Sequence, residues 1–320
     1  MYLRLAAVIL AALLLQGTAA QAQVCSFSNT GIDFGNVSLT GGNFQLTTGT
    51  FTASCSGTAG RTVTICPNFN AGSGGVDATG DPRYMTQGAA RLGYNLFKSN
   101  GIGQVWGSYT WAPSPRPPAM SVALATNGTG SSASTIYARI YNGQSTTGTG
   151  TYSSSFSGSQ TQIDYGYSTS FSCSSTLSAR AQNVPFVVRT TNNSSCTVAT
   201  TALDFGSQPN LTVIRDATNT ININCSPGTI YTVGLNGGTS GATNPTLRRM
   251  TNVATAGYVT YGIYRDAART QPWGDTAGSN TASGTGTGIA QSFTGYGRVP
   301  VQTTPASLVY TDTVVVSVTY

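Results

Sequence analysis

The chain has 320 residues, of which only 8% are charged; the formal net charge is +6, there is no histidine or glutamate, and all nine carboxylates are aspartates. Helical architectures are excluded, because no long run of Ala, Leu, Glu, Lys and Arg exists beyond the first twenty residues. A nucleic-acid partner is not expected either, since the cations are scattered, Lys98 is the only lysine, and no basic cluster tracks a phosphate backbone.

Residues 1–22 read as a signal peptide. Arg4 supplies the positive start, Leu5 to Leu15 the apolar stretch, and Ala20-Gln21-Ala22 a small-x-small cleavage site. The apolar run is too short for a permanent membrane anchor, so export is expected. From residue 23 onward, short polar–apolar alternations broken by Gly, Pro and Asn predict an all-β chain.

An internal repeat divides that chain. Cys25 is followed at an offset of eight by Asp33-Phe34-Gly35, and Cys196 at the same offset by Asp204-Phe205-Gly206. Cys55 comes thirty residues after Cys25, and Cys225 twenty-nine after Cys196. Tyr94-Asn95-Leu96-Phe97 matches Tyr261-Gly262-Ile263-Tyr264, and Trp106-Gly107 and Trp273-Gly274 lie twelve residues beyond those tyrosines. Arg139-Ile140 matches Arg298-Val299, and Tyr152 with the single strand expected after it, to about Tyr167, matches Tyr310 and the C-terminal strand. So many landmarks in one order predict two copies of one β-domain. The first is expected over residues 23–190 and the second over 191–320. Six cysteines in an exported chain read as disulfides, with fifteen possible connectivities. The repeat selects Cys25–Cys55 and Cys196–Cys225, and leaves Cys66 and Cys173 for each other.

Three stretches are candidates for function. The loop from Val105 to Met120 is eight residues longer in the first copy than in the second, counted from the tryptophan to the matching arginine. Its prolines stiffen it and its aromatics offer contact area, so Tyr109, Trp111, Pro113 and Met120 are the expected surface-binding residues, with Trp106 assigned to the core because Trp273 matches it. The segment Asn183 to Thr190 alternates at Phe186 and Val188. It either completes the first domain from within the chain or starts the second, and Thr190 to Ser195 reads as a polar joint. The C-terminal stretch Leu308 to Tyr320 alternates strictly, with Val314, Val316, Val318 and Tyr320 on one face. That strand is either already paired on both sides or borders an open edge that a strand from another molecule fills. Cys25 stands close behind the expected cleavage site, which leaves no free donor arm and predicts a subunit at the end of a fibre.

Catalytic signals are missing. Without histidine, a serine or cysteine nucleophile lacks its usual base. Asp33 and Asp204 are expected to cap turns. Asp77 and Asp81 are too few for calcium, and no metal or cofactor is expected.

The pattern C…DFG…C…Y-x-[LI]-[FY]…WG…Y…TVVVSVTY resembles the spore coat protein U domain, the subunit domain of archaic, Csu-type chaperone–usher pili. The resemblance covers nearly all of the chain beyond the signal peptide. It implies two tandem immunoglobulin-like β-sandwiches, the second incomplete and completed by a donor strand at the groove bordered by Val314, Val316, Val318 and Tyr320. Two copies behind one signal peptide resemble a tip adhesin and not an enzyme; a pilus-shaft or spore-coat-type subunit and a stand-alone secreted lectin-like binding protein are the alternative readings. Its implied partners are a periplasmic chaperone, an outer-membrane usher, the next pilus subunit, and an abiotic surface or host receptor in biofilm formation.

Overall fold

The computed structural model describes residues 23–100, 103–108, 116–167, 172–173, 177, 179–181 and 184–320. Apart from one short 3-10 turn at Gly158–Gln160, every regular element among them is a strand. The first module contains β1 (Val24–Asn29), β2 (Ile32–Val37), β3 (Gln45–Ser56), β4 (Thr62–Phe69), β5 (Arg83–Gln87), β6 (Ala90–Phe97), β7 (Met120–Ala123), β8 (Thr129–Ile140), β9 (Gly150–Phe156), β10 (Thr161–Tyr167), β11 (Ala179–Ala181) and β12 (Phe186–Asn192). The second contains β13 (Cys196–Thr200), β14 (Arg215–Cys225), β15 (Ile230–Leu235), β16 (Arg248–Thr251), β17 (Tyr258–Tyr264), β18 (Ala282–Thr285), β19 (Gln291–Val299) and β20 (Val316–Thr319).

Each module is two facing sheets. In the first, β1-β3-β8-β6-β5-β9-β12-β2 packs against β11-β10-β4-β7; in the second, β13-β14-β19-β17-β16 packs against β18-β15-β20. The period-2 pattern explains the layering. Along β3, Phe51, Ala53 and Cys55 are buried while Thr52 and Ser54 turn outward; along β8, Ile136, Ala138 and Ile140 do the same. These faces meet Val63, Ile65 and Phe69 of β4 to form one core, and Ile221, Ile223, Tyr231, Val233 and Ile263 form the other.

The disulfides join the pairs selected by the repeat. Cys25–Cys55 and Cys196–Cys225 each lock the first strand of a module to its partner at matched register, and Cys66–Cys173 ties β4 to the segment before β11. The single strand expected from Tyr152 to Tyr167 is two strands. The turn at Gly158–Gln160 carries the chain from β9 in one sheet to β10 in the other. The polar joint is also shorter than expected. Thr190 and Asn192 are buried in β12, because the Thr190 hydroxyl donates to Gly35 O and the Asn192 amide donates to Thr147 O and Gly148 O. Only Asn193–Ser195 remain between β12 and β13. The Asn193 amide donates to Val37 O there, and the hydroxyls of Ser38 and Ser195 lie 2.6 Å apart.

Candidate strand-acceptor site

The first module is closed by β12. This strand runs antiparallel to β9, with Phe186 opposite Phe156 and Val188 opposite Ser154, and parallel to β2, with Val188 opposite Ile32. Its alternate residues Phe186, Val188, Thr190 and Asn192 are buried and the intervening ones face outward. The Phe186 ring stacks on Phe156 at 4.5 Å and meets Phe69 edge-on at 4.9 Å. Outside, Arg189 donates to Asp33 at 2.8 Å. The Gly35 amide, with help from the Arg189 guanidinium, holds the Asp33 carboxyl below its ordinary range. The sequence leaves residues 183–190 open between the two modules. The structure pairs the described part of them with the first.

Shared hydrogen bonds align the second module on the first. Trp106 Nε1 donates to Pro67 O and Trp273 Nε1 to Val233 O, both at 2.9 Å. The Tyr152 hydroxyl donates to Gly148 O, and that of Tyr310 to Ala306 O. Gly35 and Gly206, both in the left-handed region at φ +66 and +67, donate their amides at 2.7 Å to Asp33 and Asp204. Asp204 therefore corresponds to Asp33, Leu203 to Ile32, Leu235 to Phe69, Asp312 to Ser154 and Val314 to Phe156.

No second-module strand corresponds to β12 among the described residues. Residues 203–208, matching β2, and 308–314, matching β9, stand apart and carry no regular strand; Thr311 touches the sheet through one bridge to Thr251. Between them lies a groove of about 920 Å³, floored by Leu203, Phe205, Leu235, Tyr261, Val314 and Val316. Leu235 and Val314 are smaller than the phenylalanines they replace, so the place matching Phe186 is roomy. At the rim, Asp312 accepts from the Tyr261 hydroxyl at 2.7 Å and from the Thr239 amide and hydroxyl. Burial, with that carboxylate, pushes the Tyr261 hydroxyl up, so it stays a donor.

Of the expected groove residues, Val314 and Val316 line the groove. Val318 packs half-buried on the second core opposite Val233. Tyr320 lies past the end of β20 and is 59% exposed. Tyr109, Trp111 and Pro113 lie outside the described residues. Met120 opens β7 opposite Ile65 and packs half-buried on the first core, and Trp106 is buried. Asp81 accepts from Asn95 at 2.9 Å and from the Tyr141 hydroxyl, so its carboxylate is committed within the fold. Among the described residues no cluster of three metal-ligating side chains exists.

One pair gives no signal in the sequence read alone. Arg83 and Arg248 are fully buried and occupy matching places. Arg83 donates to the carbonyls of Phe69, Asn70 and Trp106, and Arg248 to those of Leu235, Asn236 and Trp273. Burial pulls the Arg83 guanidinium down to about 10, which leaves it cationic at neutral pH. Arg83 stands eleven residues before Tyr94 and Arg248 thirteen before Tyr261, so counting from the matched tyrosines does not bring them together, and a lone arginine in a strand normally reads as a solvent-facing residue.

The Spore Coat Protein U domain model matches residues 10–159 and 182–317. A curated relative, Protein U of Myxococcus xanthus, is 38% identical over 74 residues, 23% of this chain and 41% of its own length; the match thus spans about two fifths of that relative. Among solved structures, the chaperone–tip adhesion subunit pre-assembly complex from archaic chaperone-usher Csu pili of Acinetobacter baumannii includes a chain aligned with TM-score 0.54 at 17% identity, covering 93% of this chain and 100% of that one. The CupB6 tip adhesin of Pseudomonas aeruginosa aligns at 13% identity over 94% of each chain, with TM-score 0.38.

Proposed function

The chain belongs to the Spore Coat Protein U domain family, a coat-protein and not an enzyme family, and we propose that it is a two-module adhesin at the tip of a chaperone–usher pilus. The observation that carries this reading is the difference between the two modules. The first has its groove filled by β12 from within the chain, whereas the matching groove of the second is open. Such a subunit takes one strand from outside, through its second module, and leaves its first module free to meet a target. An apolar groove bordered by unpaired backbone is a poor end state in water, since it exposes core side chains and invites strand pairing. A periplasmic chaperone holds it during transit, the outer-membrane usher receives it, and the next subunit's strand completes it. Attachment to an abiotic surface or host receptor, and hence biofilm formation, falls to the first module, through Tyr109, Trp111 and Pro113 of the loop that leads to the core-packed Met120.

A peptide tag inserted at the exposed Asn142–Gly143 turn, followed by gold labelling of fibres, tests this placement. Label is expected at fibre ends alone. Label spaced along the shaft overturns the tip assignment.

A further inference from the structure

The two modules offer a template for the strand that fills the second. In the first module the residue after Val188 points outward, and it is Arg189, seated on Asp33 at 2.8 Å. Asp204 repeats Asp33 down to the 2.7 Å bond from the glycine two residues on. Yet among the described residues Asp204 makes no ion pair. The other charges at the groove do not serve it. Asp312 is engaged by Tyr261 and Thr239, and Arg215, which also lines the groove, is not within ion-pair distance of Asp204. Asp204 is exposed beside the place where the missing strand must run.

Resting on the reading of this groove as a strand acceptor, we propose that the strand it takes is basic at one outward position: a Lys or Arg directly follows the apolar residue lying against Leu203, and pairs with Asp204. The apolar residue two positions earlier occupies the space between Leu235 and Val314. That space is wider than its counterpart between Phe69 and Phe156, so a large side chain fits it. The acceptor thereby reads charge as well as alternation. Strands with an acidic residue at this position are disfavoured by like charge, which separates correct subunits from other alternating segments.

The test uses the full chain with a copy of residues 184–193 joined after Tyr320. Ile163 pairs with Pro67 as Val318 pairs with Val233, so Tyr165 matches Tyr320, and the eighteen residues between Tyr165 and Val184 set a flexible linker of about eighteen residues. Three versions carry Arg, Gln or Glu at the position of Arg189 in the added copy, and the unfolding of the second module is followed at low and high salt. All three are expected to unfold at a higher temperature than the chain without the added copy. An exposed pair is worth little, so Arg is expected to exceed Gln by only about 1–5 °C, and Glu to fall below Gln. Asp204→Asn is expected to erase the ranking, Asp204→Lys to invert it, and salt to compress it. If all three versions stabilise equally on the unchanged chain, the charge rule is wrong and the acceptor groove stands. If none stabilises the second module, the acceptor reading fails and the rule with it.

Discussion

Replacing Phe186 by alanine should loosen the first module and leave the second untouched. The ring is 5% exposed, stacks on Phe156 at 4.5 Å and meets Phe69 at 4.9 Å, so its removal opens a cavity inside an aromatic cluster that also holds Trp106. Deleting a buried phenylalanine side chain costs about 3–5 kcal/mol, from lost transfer energy plus the cavity left behind. For a domain of this size each kcal/mol lowers the melting temperature by about 2–4 °C, so a drop of roughly 6–20 °C is expected. The assay is differential scanning calorimetry of the chain from residue 23 onward with its disulfides intact. Ile223→Ala, in the fully buried core of the second module, identifies that module's transition. The Phe186 variant should shift the other one. If Phe186→Ala moves the transition that Ile223→Ala moves, or moves neither by more than about 2 °C, β12 is not the closing strand of the first module, and the template for the open groove is lost.

Changing Tyr109 and Trp111 together to Ser is expected to abolish attachment of piliated cells while secretion of the subunit continues; wild-type attachment in this variant places the contact elsewhere on the first module. Arg248→Met leaves the carbonyls of Leu235, Asn236, Pro245 and Trp273 without their donor, which at about 1–3 kcal/mol for a stranded buried group should cost the second module at least about 3 kcal/mol in chemical denaturation. Only the first module should respond to Arg83→Met; a change below about 1 kcal/mol in either case makes the guanidinium dispensable. The Arg298 hydrogen bond, aided by Arg269, holds the Asp216 carboxyl below its ordinary value of 3.8. Its stabilising share is therefore present above that value and lost as pH falls through the lower folded value, so the stability gap between wild type and Asp216→Asn should be level from about pH 5 to 8 and shrink below 3.8. A gap that persists to about pH 2 removes the ion pair as its cause.

How much of this is legible beforehand depends on the range over which each feature is encoded. Strand faces follow from period-2 alternation, and the disulfides from a repeat that places two cysteine pairs at matching offsets; both are patterns within or between short segments. The turns at Asp33 and Asp204 are local in the same way, since the carboxylate reaches an amide two residues on. The joint at Thr190–Ser195 misleads because Thr, Asn and Ser look like linker residues wherever they stand. Only the carbonyls of Gly35, Thr147 and Gly148, brought alongside by the fold, make Thr190 and Asn192 interior residues. The buried arginines are invisible for the same reason, their acceptors being carbonyls from separate strands and turns.

The sequence by itself determined an all-β chain built from one repeated unit, its cross-links, and an alternating segment between the copies whose owner was undecided. Tertiary structure decided that owner. Phe186 and Val188 would suit either core by hydrophobicity, since alternation states that a face is buried without stating against what. The choice rests on pairing partners thirty or more residues away along β9 and more than 150 away along β2. That same pairing, present in the first module, makes its absence between residues 203–208 and 308–314 readable as an open groove in the second.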